Sequence, residues 1–389
     1  GNSDINGSGG TYVAYVFGED AIFGEDGDEQ ICKMGSYIGN GTVGRTVDFG
    51  FEPQWVLIKP NANDHWYLFD SMREWTTDIS ARLRPDTSDE EGRAFYYIPP
   101  NATGITFNAS SGGALNANGT EYIYMAIRRP MKTPETGTEV FSPYYGTLGS
   151  PITTNFPVDL SINNKNTGSS YSHFYTFTRP LGTYYLEMAK TAAAVDGGTA
   201  SPKFDVMNSI DLSGWYGASS TVSAFNFKRA SKFMDVVAFS GTGANPLSVS
   251  HNLTVPPELM IAKRRSGAVS WMVGVPSVSL GGFLNTTDAL SSTRWSTDWS
   301  GFSPTSTIFK VSDGTAGSGD DIIAYLFATL AGISKVGSVV HSGTTNVDCG
   351  FSNGARFVLA KRTDATGEWY FFDTANGIVA GSDNYWINP

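Results

Sequence analysis

Few residues in this chain are of a type and spacing suited to chemistry. Its four histidines are His65, His173, His251 and His341. His65 and His173 open similar stretches, His65-Trp66-Tyr67-Leu68-Phe69-Asp70 and His173-Phe174-Tyr175-Thr176-Phe177, and read as polar residues at strand starts. A Ser–His–Asp nucleophile set is usually announced by a Gly-x-Ser-x-Gly elbow, and the sequence carries none. The acidic run from Glu19 to Glu29 offers the oxygen ligands that Ca²⁺ prefers, but not in the Asp-x-Asx-x-Asx-Gly order of a calcium loop. It reads as a solvated linker, the alternative being that Ile22 and Phe23 pin it to an adjacent module. No carboxylate pair stands out for glycoside hydrolysis. The expectation is a protein without catalysis, metal or cofactor.

The nine tryptophans invite another chemistry, because sugar faces stack on exposed aromatic rings. Trp66, Trp271 and Trp369 recur at equivalent positions of a repeat and are expected in the core. Trp75, Trp215, Trp295, Trp299 and Trp386 do not recur, and the first four are the candidate ligand-binding residues, facing host-surface glycans. The two cysteines, Cys32 and Cys349, are too few for a disulfide framework and read as buried free thiols.

The elements that position these residues are strands. Aromatic content of 13%, 44 glycines and only 16% charged residues describe short strands joined by polar turns. The formal net charge of −11 repels a phosphate backbone and an anionic bilayer alike, so neither nucleic acid nor membrane is an expected partner. No apolar run approaches the roughly 18 residues of a membrane helix, and the chain is expected to be soluble.

Aligning the chain with itself exposes a repeat. The strand Pro53-Gln54-Trp55-Val56-Leu57-Ile58-Lys59 returns as Pro257-Glu258-Leu259-Met260-Ile261-Ala262-Lys263 and Ala355-Arg356-Phe357-Val358-Leu359-Ala360-Lys361, with a weaker copy ending at Asn163. From Lys59 to Asn163 is 104 residues, from Asn163 to Lys263 is 100, and from Lys263 to Lys361 is 98. An aromatic strand follows each copy after a polar turn, which predicts a β-hairpin. A closing strand starts near Tyr12, Tyr122, Val222 and Ile322. The reading is an all-β tandem array of about 100-residue sandwich or jelly-roll modules. Residues 31–130 form one module, 131–230 a diverged one and 231–331 a third. Residues 332–389 are the front of a further module, 1–17 the closing strand of a preceding one, and 18–30 the acidic linker. Short helical turns are expected at Asp89-Glu90-Glu91-Gly92 or Leu186-Glu187-Met188-Ala189-Lys190. The two ends are complementary fragments, which leaves two readings. Either the chain is a window of a longer array, or Tyr12, Ala14 and Val16 belong to an assembly strand that completes residues 333–389 of a neighbouring copy.

The combination of Tyr12-Val13-Ala14-Tyr15-Val16-Phe17, Gly39-Asn40-Gly41-Thr42, Trp55-Val56-Leu57-Ile58-Lys59 and the stretch from Leu359 to Tyr370 resembles a repeat domain of large structural proteins of marine bacteriophages. The likeness covers the first, third and fourth modules well and the second poorly. It implies a virion, as a tail fibre, sheath or decoration component, with self-association or other virion proteins as partners. It carries no catalytic signature. The expected location is the virion or an extracellular surface. The rival readings are a secreted or cell-surface glycan-binding adhesin, and a filament subunit polymerised by strand donation.

Overall fold

A computed structural model describes residues 7–24, 27, 29–78, 80–92, 98–108, 113–166 and 174–377. Of the three successive stretches 31–130, 131–230 and 231–331, the first contains β1 (Cys32–Ile38), β2 (Arg45–Asp48), β3 (Pro53–Pro60), β4 (Tyr67–Asp70), β5 (Pro100–Asn101), β6 (Gly104–Phe107) and β7 (Glu121–Arg128), with α1 (Gly113–Asn116) before β7. The second contains β8 (Phe141–Thr147), β9 (Ile152–Thr153), β10 (Leu160–Lys165), β11 (Tyr175–Thr178), β12 (Tyr184–Glu187), β13 (Val195–Asp196), β14 (Ser209–Ile210) and β15 (Thr221–Phe227), with α2 (Ser213–Tyr216) before β15. The third contains β16 (Met234–Ser240), β17 (Leu247–Ser250), β18 (Leu259–Arg264), β19 (Met272–Val275), β20 (Leu280–Phe283), β21 (Ile308–Val311) and β22 (Asp321–Phe327), with α3 (Ser292–Asp298) after β20. A hairpin of β23 (Phe357–Lys361) and β24 (Trp369–Asp373) follows. The chain is all-β, built of antiparallel sheets.

One strand order occurs three times. The larger sheets run β1-β7-β3-β4, β13-β12-β11-β10-β15-β8 and β16-β22-β18-β19-β20. In each, the last strand of the stretch lies between its first strand and the Lys- or Asn-bearing strand. Smaller sheets accompany them: β2-β6-β5, β14-β9 and β17-β21. The hairpins expected from the sequence form in all four places, pairing β3 with β4, β10 with β11, β18 with β19 and β23 with β24. A 3-10 turn follows the second hairpin strand at Ser71–Arg73, Arg179–Leu181 and Pro276–Val278. At the first of these, Asp70 Oδ1 accepts from the backbone N–H groups of Met72 and Arg73 at 3.0 and 3.1 Å. These bonds satisfy donors that the turn itself leaves open.

Packing explains the residue choice. Inward residues of each larger sheet meet the smaller sheet of the same stretch: Val56, Ile58 and Tyr122 with Val47, Ile105 and Phe107; Val222 and Ala224 with Ile152 and Ile210; Ala262, Ile322 and Ala324 with Val249 and Phe309. Outward residues of the second and third larger sheets meet one another and the β23–β24 hairpin in a further core, which contains Phe225, Ile261, Trp271, Tyr325, Trp369 and Phe371. This accounts for the apolar run of β22, Asp-Ile-Ile-Ala-Tyr-Leu-Phe: both of its faces are buried, so alternation is lost.

Three expectations need correction. Residues 89–92 are irregular, tied by a bridge between Arg82 and Gly92, and Leu186 and Glu187 end β12, so neither forms a helical turn. Strand pairing and the αβ connections place helix before β7 and β15 and after β20 instead. Residues 11–22 lie in no strand, with Tyr15 and Val16 84% and 90% exposed. Ile22 and Phe23 are exposed and do not pin the acidic segment. Its carboxylates do: Glu19 meets Lys33 and the Met34 N–H, and Glu29 meets Arg128 at 3.0 Å.

Candidate functional site

Charged groups converge where the three stretches meet. Glu52 precedes β3, Arg129 follows β7, Asp159 precedes β10, Arg179 opens the turn after β11, Arg229 follows β15 and Asp235 lies in β16. All sit at strand ends, so the sheets bring together residues up to 183 positions apart in sequence. Arg229 donates to both Glu52 oxygens at 2.7 and 2.5 Å and, through Nε, to Asp235 Oδ1 at 2.6 Å. Its backbone N–H donates to Asp159 Oδ2 at 2.8 Å. Asp159 Oδ1 accepts from Arg129 at 2.6 Å and from Arg179 Nε at 2.8 Å. Asn252 completes the set, its N–H donating to Asp235 Oδ2 at 2.8 Å and its amide to Glu52 at 3.1 Å.

Three guanidinium groups thus face three carboxylates with little access to water. Burial alone would raise the Asp159 carboxyl, but Arg129, Arg179 and Arg229 outweigh it and hold it below the usual carboxylate range. Burial likewise opposes the charge on Arg229, and Asp235, Glu52 and Asp159 more than restore it. A cavity of about 40 Å³ adjoins the cluster, lined by Glu52, Arg129, Arg179, Arg229 and Asn252 among others. It has room for water rather than an organic ligand. Chemically the cluster is a clamp, since every carboxylate in it is already paired or hydrogen-bonded.

A second arrangement recurs with the hairpins. Lys263 Nζ, at the end of its strand, donates to Arg264 O at 2.9 Å and Gly267 O at 3.4 Å within its own turn, and to Thr191 O of the second stretch at 3.0 Å. Lys361 does the same with Gly367 O and with Thr287 O of the third stretch, the latter at 3.1 Å. Burial, then the neighbouring Arg264, pushes the Lys263 ammonium down to about 8. The recurring tryptophans make matching bonds: Trp271 Nε1 donates to Glu187 O and Trp369 Nε1 to Phe283 O, both at 3.0 Å. Glu187 ends β12 and Phe283 ends β20, and each lies four residues before the carbonyl that the lysine takes. In the first stretch Lys59 clasps its own turn through Pro60 O and Ala62 O at 2.8 and 3.0 Å.

The candidate glycan-binding tryptophans are placed differently from one another. Trp75, Trp295 and Trp299 are buried, at 3%, 4% and 0% exposure, and their rings offer no face to a sugar. Trp75 Nε1 donates to Ile98 O at 2.8 Å. Trp299 fills the space over Gly274, where a Cβ would come within 2.8 Å of its Nε1. Trp215 alone of the four is half-buried, edge-on to Tyr175 and Phe177, both at 5.3 Å. Trp386 and His173 lie outside the described residues. Tyr12, Ala14 and Val16 are exposed and belong to no sheet.

The remaining histidines hold structural bonds. His65 Nδ1 lies 3.2 Å from Asp86. His251 is buried: Leu253 N–H donates to Nδ1 at 3.2 Å, so Nε2 carries the proton directed at Thr305 O, 3.1 Å away. Both free thiols are half-buried rather than buried. The charged cluster leaves one trace in the sequence. Arg129 and Arg229 are 100 residues apart, each within two residues of the end of a closing strand, but the third stretch has Thr329 there and the pattern passes as a solvated strand end.

No curated protein matches the chain. A family match covers residues 1–130 and 216–389 and omits the front of the second stretch, where the recurring motifs are weakest. That match spans well over half the sequence, and the chain therefore belongs to the family described as a domain of unknown function (DUF7483).

Proposed function

We propose that the chain is a non-enzymatic structural component of a virion, a tail fibre, sheath or decoration protein. In this reading it is a tandem array of two-sheet modules of about 100 residues, each a sandwich of one larger and one smaller sheet. The observation that carries it is the junction chemistry. Lys263 and Lys361, with Trp271 and Trp369, fix successive units through backbone carbonyls at equivalent positions, and a shared apolar core fills the space between them. Charges spent on such contacts suit a rigid block better than a site that must exchange ligands. The virion setting rests on the resemblance of the strand motifs to those of phage structural repeats. Antibodies raised against the purified chain are expected to label particles produced by the genome that encodes it. Label confined to the cell envelope would favour the adhesin reading, for which half-buried Trp215 is then the residue to change in glycan binding.

A filament joined by strand donation has its own support. β23 has β24 as its assigned partner, whereas β3, β10 and β18 each also pair with a closing strand. The exposed segment around Tyr12, Ala14 and Val16 has the sequence of such a strand. Assembly that survives deletion of residues 1–17 would eliminate this version.

A further inference from the structure

We infer that the outer face of sheet β1-β7-β3-β4 is a docking surface for the same face of two further copies of this chain, giving a trimer. The inference rests on the modular reading above, because it transfers what covers the second and third sheets to the first.

The registers define the face. Across the sheet, Cys32, Ile127 and Trp55 form one row, Met34, Met125, Leu57 and Leu68 the next, and Ser36, Ile123 and Lys59 a third. The corresponding rows of the third sheet are Met234, Phe327 and Leu259; Val236, Tyr325, Ile261 and Val273; and Ala238, Ile323 and Lys263. In the third sheet all of these except Ala238 and Lys263 belong to or pack against the shared core, and Ile323 is 0% exposed. In the first sheet Ile123, at the matching position, is 48% exposed, and Trp55, Leu57, Leu68, Met125 and Ile127 are half-buried, where the matching residues of the third sheet lie in or against the shared core. A strand with one wet face should alternate, yet β7 reads Glu-Tyr-Ile-Tyr-Met-Ala-Ile-Arg, apolar on both faces like β22. An apolar row of this extent, left open, marks an interaction surface.

Three sheets meet in the shared core, and this identifies the partner. Units two and three join through Trp271 to Glu187 O, and unit three joins the last hairpin through Trp369 to Phe283 O. The hairpin returns to unit two through Arg356 Nη1 to Phe141 O at 3.1 Å and Phe371 edge-on to Phe174 at 5.3 Å. The contacts thus close a ring of three like faces. The first unit has both halves of the same joint. Trp66 occupies the position of Trp271, half-exposed. Pairing of Leu68 with Leu83 sets Arg84 where Glu187 stands. Arg84 O already accepts the Thr87 N–H at 3.1 Å, as Glu187 O accepts that of Lys190 at 3.2 Å, so the acceptor turn is the same. A symmetric ring of identical faces closes without leaving an unsatisfied edge.

The test is the mass of the full chain in solution by light scattering and sedimentation across a concentration series. The expected result is reversible association to three chains. Ile123→Asp and Leu57→Asp are each expected to return the mass to one chain with an unchanged circular dichroism spectrum. Trp66→Phe should weaken association about fivefold per joint, the loss of one hydrogen bond of about 1 kcal/mol. A single-chain mass at every concentration, a stable dimer, or association that survives Ile123→Asp would each overturn the inference. Ile323→Asp separates this from failure of the modular reading. If positions 123 and 323 are equivalent, it must lower the melting temperature of the folded chain. If it does not, the modular reading itself fails, whatever the mass.

Discussion

Arg229 shows how much one side chain can hold when burial leaves it no alternative partners. Its guanidinium meets carboxylates from the first and third stretches, and its own N–H meets one from the second. Replacing it with Met removes one charge and leaves Glu52 and Asp235 buried without their main counterion. The expected loss is about 3–5 kcal/mol, read as a lower denaturant midpoint. Acid should act in two windows. Burial lowers the His251 pKa, so the unfolded chain binds the proton first and stability falls as pH drops below about 6.5. His251→Gln should remove that limb from the stability profile. Asp159, whose pKa its arginines hold below the usual range, contributes stability present above about pH 4 and lost as pH falls further. None of this was legible in the sequence, because a lone Asp before a strand and an Arg after one are ordinary at surfaces. Only the sheet topology shows that they meet.

At the scale of elements, the hairpins and three of the four closing strands were readable, because β-branched and aromatic runs bounded by polar turns have few other solutions, whereas the run at residues 12–17 forms no strand. The pairing of β18 with β19 follows that reading, whereas its pairing with β22 is set by the sheet topology, which the sequence pattern does not specify. Helices were not, since α2 and α3 are of four and seven residues and owe their place to strand connections rather than to an apolar stripe. The tryptophans divided on the same ground. Recurrence correctly pointed Trp271 and Trp369 to the core but not Trp66, which is only half-buried, whereas lack of recurrence in Trp295 and Trp299 reflected a local core built by α3 over β19 and β20. Gly274→Ala should therefore cost about 1–3 kcal/mol through overpacking against Trp299, measurable as a fall in melting temperature. Chymotrypsin should cut first at Tyr12, Tyr15 or Phe17, where no sheet protects the backbone, and mass spectrometry would identify the trimmed product. Initial cleavage within β15 or β22 would contradict that order.

For the whole molecule, the distribution of cores predicts how it comes apart. The first stretch has a core of its own and touches the rest mainly through the ionic cluster and polar turns, whereas the second and third stretches and the last hairpin share one. Calorimetry should resolve two transitions, and Arg229→Met should separate them further. A single transition with equal calorimetric and van't Hoff enthalpies would show that the clamp couples the stretches fully. The joints between stretches have another consequence. Trp271, Trp369, Lys263 and Lys361 all address main-chain oxygens, and every residue type supplies one. The receiving surface is consequently free to vary in side chain so long as its turn keeps its shape. A stretch with a weak resemblance to its neighbours, as the second is, can still be seated between them, and on the modular reading proposed above units can be inserted, removed or exchanged without redesigning the seams.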